Sequence, residues 1–503
     1  MARLLPPPDG VTVRMYRLGH GDCFLLAFPG AAAEAEPVYV LIDCGFKPGS
    51  PKFLADDRTI DQIVAHLHEA CGGTIDLAIL THEHQDHLNG IWKGRDPYFE
   101  PFTIKEAWFA WTEDPGNALA NRLRERHKDT LLGLLGAREG LALAVGDADP
   151  SVQRIDQLLQ LELGDQTDLP VAAMMAAASN PEKSINKQAL RYVRDKAAEH
   201  RGAFYMYPGI EPVPLPGTAG VRAFVFGPPE DENLIADEDP RGDEAFPRDH
   251  SFSFSEAVQG APGDRVSPFR REFAVPLDEA FTIEDDFWRT RYGTGASAPP
   301  EDRGEVPPDA DWRRIDADWL YSAETLALKL NTGINNTSLV VAFELPRSKK
   351  VLFFAADAQR GNWVSWADLT FADGDTTVTA RDLLARTVLY KAGHHGSHNA
   401  TLDGAPDDPH PNLSWMGRGA AADEFTAMIT AVTEWATTKN DPPWVHPLPS
   451  IKAALVRKAR GKVLQTDEAE PARPAGVSGG EWARFTGRAV FDPLFFDLQI
   501  RDE

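Results

Sequence analysis

The chain of 503 residues is 43% apolar and 25% charged, the balance of a folded globular protein rather than a disordered or fibrous one, and it is long enough for two or three ordinary domains. Its 51 basic and 76 acidic residues leave a formal charge of −25, which repels a nucleic-acid backbone. With no long basic run to compensate, a strong nucleic-acid binding surface is excluded, whereas a nuclease with a metal-centred cleft is not. Three cysteines without paired spacing (Cys23, Cys44, Cys71), no N-terminal apolar signal core and no run near the ~18 apolar residues of a membrane span predict a cytoplasmic chain with no disulfide framework and no membrane partner.

In chain order, Val11 to Arg17 alternates as a strand does, Gly19-His20-Gly21-Asp22 turns, and Cys23 to Phe28 and Val38 to Ile42 are apolar strands, the second ending at Asp43-Cys44-Gly45. Asp61 to Ala70 reads as a helix with Ile63, Val64 and Leu67 on one face. Leu77-Ala78-Ile79-Leu80 is a short buried strand, and Ile104 to Trp111 is another. Strands interleaved with helices predict an α/β (α+β) layered fold. Residues 116–200 change to helical stripes, with one start signal at Asn180-Pro181, and read as a helical insertion over 113–200 whose apolar faces are core, or else a docking face for a protein partner. Core strands return over 201–229. Residues 230–325 form an acidic, loop-rich insertion: 230–244 alone carries eight acids against one arginine, a pattern of solvated loop or of a flap over a site. Strands resume at Thr337 to Glu344 and Val351 to Ala356, Asp382 to Tyr390 leads into Lys391-Ala392-Gly393-His394-His395, and the tail reads as a helix from Glu424 to Trp435, a helix near Ser450 to Arg460 and a strand at Lys462 to Gln465.

The chemistry is concentrated after the Leu77–Leu80 strand, in Thr81-His82-Glu83-His84-Gln85-Asp86-His87. Two-residue alternation sends His82 and His84 to one side, where they can share a metal ion, while Asp86 and His87 on the following turn can reach a second. A dinuclear site needs a bridging carboxylate and further imidazole. Asp357 follows an apolar strand, and the 394–395 histidine pair follows another. Imidazole and carboxylate without thiolate suit zinc, and also manganese or iron. Two such ions roughly 3.5–4 Å apart activate water for hydrolysis. Lys391, Lys187 and the Arg122-Arg124-Arg126 stretch offer local positive charge.

His82-x-His84-x-Asp86-His87 resembles the signature of the metallo-β-lactamase superfamily. Gly19-His20-Gly21-Asp22, Asp43-x-Gly45, Asn335-Asn336-x-Ser338, Ala356-Asp357, His394-His395-Gly396-Ser397, His446-Pro447 and Thr466-Asp467 follow in order, and they resemble the soluble relatives of the ComEC-type DNA-uptake hydrolase domain. The resemblance implies an αββα sandwich split as 10–112 and 326–500 around the insertions. It also implies two divalent ions: the first on His82 and His84, the second on Asp86, His87 and His395, with Asp357 bridging. Asp86 and Asp357 are then the carboxylates at the reacting centre. Asp43 orients a ligand loop, His394 stands beside the site, and Asp22 and His446 border it. Where many relatives place a third histidine for the first ion, this chain has Asn335-Asn336, and Asn336 either completes that ion poorly or holds the loop. Leu88-Asn89-Gly90 replaces a two-glycine turn. The implied reaction is hydrolysis of a phosphodiester in a small-molecule or nucleotide-type anion. Hydrolysis of a carboxylic ester, lactone or thioester, and a binding protein with a degenerate site, are the alternatives.

Overall fold

The computed structural model describes residues 3–32, 34–93, 96–149, 184–247, 333–439 and 443–503, with a few positions between 152 and 159. The proposed helix start at Asn180-Pro181 and residues 248–325 of the acidic insertion lie outside them, as do residues 326–332.

Fifteen strands build the two large sheets. The first six are β1 (Gly10–Tyr16), β2 (Cys23–Phe28), β3 (Val38–Cys44), β4 (Leu77–Leu80), β5 (Glu106–Ala110) and β6 (Gly202–Met206). The next seven are β7 (Val213–Pro214), β8 (Arg222–Gly227), β9 (Val340–Glu344), β10 (Val351–Phe354), β11 (Thr387–Lys391), β12 (Thr426–Ile429) and β13 (Val463–Gln465). The last two are β14 (Ala489–Phe491) and β15 (Phe495–Arg501). One sheet has eight strands in the order β6-β5-β4-β3-β2-β1-β15-β14, the other seven in plain chain order from β7 to β13. In each, the strands that lead to the histidine and aspartate motifs pair in parallel: β3 with β4 and β4 with β5, then β10 with β11, β11 with β12 and β12 with β13.

The sheets pack face to face. Alternate residues decide which layer each side chain joins. Leu77 and Ile79 of β4 enter the shared layer with Phe24, Phe354 and Val388, while Ala78 and Leu80 face outward. Phe24 and Phe354 meet across it edge to face, centroids 5.5 Å apart. Helices α1 (Ile60–Cys71) and α4 (Ile185–Ala198) cover the outer face of the first sheet through Ile63, Leu67, Ala189 and Val193. Helices α5 (Arg360–Ser365), α6 (Ala380–Ala385) and α7 (Pro449–Lys458) cover the second through Trp363, Leu383 and Ile451. Strands buried on both faces must be apolar throughout, which is why β4 reads LAIL rather than alternating. α1 begins on a capping box in which Thr59 and Gln62 exchange side chain-to-backbone bonds, and it stops at Gly72 with φ +62°.

Two expectations change. The stretch read as a helix from Glu424 to Trp435 holds β12, and the helix there is only Thr433–Lys439; a short apolar run buried between two parallel strands carries no period that separates helix from strand. α4 falls inside the helical stretch 113–200, and its apolar face is core, as that reading expects. The described part of the acidic stretch is not simply solvated: Asp237 and Glu244 both pair with Arg360, whose Nη2 donates to Glu244 at 2.9 Å, and Ile235 is buried. No helix among the described residues is long and apolar enough to cross a membrane.

Candidate metal centre

The histidines and aspartates that gather at the centre stand at C-terminal strand ends, in one sheet or the other. Asp43 ends β3, the histidine motif follows β4 and turns into the short helix α2 (Gln85–Leu88), Asp357 follows β10, Lys391 ends β11 with His394 and His395 after it, and Thr430 follows β12. Gly45 is required for this convergence, since a Cβ there would collide with the backbone of Asp86 and His87. Among the described residues six non-glycines have positive φ, and four of them are here: Asp43 at 53°, Ala356 at 47°, His394 at 38° and His395 at 53°. Such backbone persists where the surroundings over-determine it, and it gathers at functional sites.

Asp86, His87, Asp357 and His395 are all buried, and one ligand atom from each lies within 4.8 Å of the others. His395 Nε2 is 3.0 Å from Asp86 Oδ2 and 3.6 Å from Asp357 Oδ2, and His87 Nε2 is 3.2 Å from Asp357 Oδ2. His82 and His84 adjoin this group as a pair, Nε2 to Nδ1 at 3.0 Å, with the His82 ring 4.1 Å from that of His87. His394 stands at the edge, its Nε2 4.0 Å from Asp357 Oδ2. The supporting groups fix ring orientation. Asp43 accepts from Thr81 N at 2.8 Å, from Thr81 Oγ1 at 2.6 Å and from His87 Nδ1 at 2.8 Å, which leaves His87 Nε2 aimed at Asp357. The backbone oxygen and hydroxyl of Thr430 hold His395 Nδ1 in the same way, at 3.1 and 3.0 Å.

These residues can hold a metal ion. Asp86 Oδ1 and His87 Nε2 are buried and make no hydrogen bond, although Lys47 Nζ lies 3.1 Å from the first and Asp357 Oδ2 3.2 Å from the second. Each such orphan costs about 1–3 kcal/mol, a cost that a cation between them removes. The protonation states also suit ligands. Burial would raise Asp86 and Asp357, but Lys47 and His395 around the first, and His87, His395 and Lys391 around the second, hold both carboxylates well below their usual range. Burial keeps His82 well below the ordinary imidazole value and brings His394 down to about 4, so both offer lone pairs. His87 goes the other way: burial opposes its charge, yet Asp357, Asp43 and Asp22 hold it well above, so the local field favours positive charge at this ring.

Asp22 is not at the open side. It is buried and accepts from Lys391 Nζ and Thr430 Oγ1, each at 2.5 Å, which places it beneath the ligands. Asn336 takes the second of its two expected roles. It is buried, its Nδ2 donates to Ile235 O at 3.0 Å and Asp237 O at 2.9 Å, and its Oδ1 accepts from Gln359 N at 2.9 Å and Asn362 Nδ2 at 3.0 Å. With all four bonds made it holds the loop and is no ligand. Its neighbour Asn335 is the one beside the site, Nδ2 3.3 Å from His394 Nε2. His446 belongs to an aromatic wall: it stacks on His20 at 5.5 Å, Trp444 lies 5.7 Å further out, and burial lowers the pKa of both histidines. Asn89, in place of a second glycine, bridges the backbone N and O of Phe46 and fastens the turn.

Two members of the site escape sequence reasoning. Lys47 has no motif around it beyond standing just after Asp43-x-Gly45. Thr430 was hidden by the misread β12. Of the cations expected to attract an anion, only Lys391 lies in the centre, 3.4 Å from Asp357. Lys187 pairs with Glu83 at 3.4 Å, Arg124 donates to the backbone oxygens of Thr112 and Asp114, Arg126 pairs with Glu232, and Arg122 is exposed on its own helix. No protein-family model matches the chain, and no curated protein matches it in sequence.

Proposed function

We propose that the chain is a metal-dependent hydrolase built on the metallo-β-lactamase sandwich, and that it cleaves a phosphodiester in a small, nucleotide-type anion. The observation that carries this reading is the meeting of Asp86, His87, Asp357 and His395 within 4.8 Å, delivered from strand ends of two facing sheets. Two divalent ions, zinc before manganese or iron, fit the donor set: Asp86, His87 and His395 for one, His82 and His84 for the other, with Asp357 between. Bound there, they would lower the pKa of a water and neutralise phosphoryl oxygens.

The chain's own groups do the rest. Asp43 and Thr430 fix the two imidazoles that face Asp357. Lys47 and Lys391, both buried, set positive charge beside Asp86 and Asp357, which favours an anionic substrate over a neutral ester. The wall of His20, His446 and Trp444 excludes water from one side. Because Asn336 is committed to its loop, the ion on His82 and His84 has fewer protein ligands and is the more weakly held.

Turnover of bis-p-nitrophenyl phosphate tests the reading. His84→Ala and Asp357→Ala should each lower kcat/KM by more than the roughly 10–100-fold that loss of a supporting group costs. Turnover confined to p-nitrophenyl acetate or to lactones, in protein loaded with zinc or manganese, would overturn the substrate class.

A further inference from the structure

A cavity of about 300 Å³ begins at Glu83, the residue between His82 and His84, and is walled by α3 (Ala118–Val145), by the short helix Glu232–Ile235 and by the turn at 333–337. That volume is at the lower end of small-molecule sites. Two of its lining residues are chain neighbours of the centre: Glu83 lies between His82 and His84, and Thr337 precedes Ser338, whose Oγ is 3.3 Å from His82 Nδ1. Its body is apolar, formed by Leu123, Ile235 and Ile334.

Two polar atoms in it lack a hydrogen bond. Glu83 Oε2 lies 3.4 Å from Lys187 Nζ but makes no hydrogen bond, and Thr112 Oγ1, on a residue 5% exposed, makes none either. Glu113 adds a second carboxylate, which burial and the neighbouring Glu83 push above the usual range. The cations on the wall are already engaged, Arg124 with the backbone oxygens of Thr112 and Asp114 and Arg126 with Glu232. A ligand that fills this space therefore needs an apolar body and donors for the carboxyl groups of Glu83 and Glu113. A nucleobase meets the first condition. Among the bases, guanine presents two adjacent donors, its ring N–H and its 2-amino group, to a carboxylate.

We propose that this cavity is the base subsite of the centre and that Glu83 and Glu113 select guanine there, so that the substrate is a guanosine phosphodiester. The proposal rests on the phosphodiesterase reading above and deepens it. The test compares kcat/KM for the p-nitrophenyl 5′-phosphodiesters of guanosine, inosine and uridine. Inosine lacks only the 2-amino group. The guanosine ester should be favoured by about tenfold or more, the worth of one bidentate contact. Glu113→Gln, or Ala236→Trp placed at the exposed rim to fill the cavity, should bring that ratio to about one. Equal rates on the three esters, or a ratio unmoved in both variants, would overturn it. Calorimetric titration with guanosine itself, which has no bond to cleave, separates the two claims. Guanosine binding that Ala236→Trp abolishes, with no phosphodiester turned over, would keep the subsite and sink the hydrolase. Turnover of bis-p-nitrophenyl phosphate without guanosine binding would do the reverse.

Discussion

Asp43 touches no open coordination position, yet three hydrogen bonds end on it and decide where His87 points. Its carboxylate takes the Nδ1 proton of His87, and Thr81 fastens the carboxylate in turn. Asp43→Asn keeps the shape but offers a donor where His87 needs an acceptor. We expect metal affinity, read by titration against a chromogenic chelator, to fall roughly 10–100-fold with the fold intact by circular dichroism. Unchanged affinity would mean that the ring is held by packing alone. The same scale shows what spacing can reveal. The histidines and aspartates that gather from 82–87, 357 and 395 were legible because each group follows an apolar run that had to be a buried strand. Asn336 was only half legible: an amide at that position could have faced an ion, and only its four bonds, three of them to backbone atoms of distant segments, show that it cannot. Lys47 was not legible at all, since a lone lysine after a turn has no period or partner in the sequence.

Among the elements, the strands of the second sheet are fastened at the end away from the centre. Glu344, 2% exposed at the end of β9, accepts from Arg222 of β8 at 2.6 Å and from Arg386, just before β11, at 2.7 Å. Burial works to raise its pKa, but the two guanidinium groups outweigh it and hold it below the usual value. A folded-state pKa below the unfolded one stabilises the protein above the unfolded value, about 4.3 for glutamate, and this contribution is lost as pH falls through the folded pKa. Glu344→Gln should therefore lower the free energy of unfolding at pH 7 by roughly 1–3 kcal/mol, and the gap to the parent should close below about pH 4. A gap that stays constant with pH would assign the loss to packing rather than charge. The element least legible was β12. Phe425 to Ile429 is apolar but for Thr426, and the helical residues just after it drew the whole stretch into one helix; its partners β11 and β13, distant in sequence, make it a strand. Thr430 was lost with it.

For the molecule as a whole, layer order and site location are one fact. Parallel strands of both sheets run their C-terminal ends to the same edge, so motifs more than 300 positions apart, from Asp22 to Thr430, come within hydrogen-bonding distance. The alternation of strands and helices in the sequence predicted the class of fold and its apolar layers. It did not predict that β14 and β15 close the first sheet, because pairing between β1 and the tail leaves no trace in local pattern. The helical stretch keeps the core-face reading rather than its docking alternative: among the described residues no large apolar side chain of α3 is exposed, and α3 forms a cavity wall. The centre itself is the claim on which the function depends, and it is counted most directly as metal. Protein purified without chelator and analysed by inductively coupled plasma mass spectrometry should carry about two divalent ions per chain, and Asp357→Ala about one or fewer. Less than about half an ion per parent chain, after exposure to zinc and to manganese, would contradict a metal centre at Asp86, His87, Asp357 and His395.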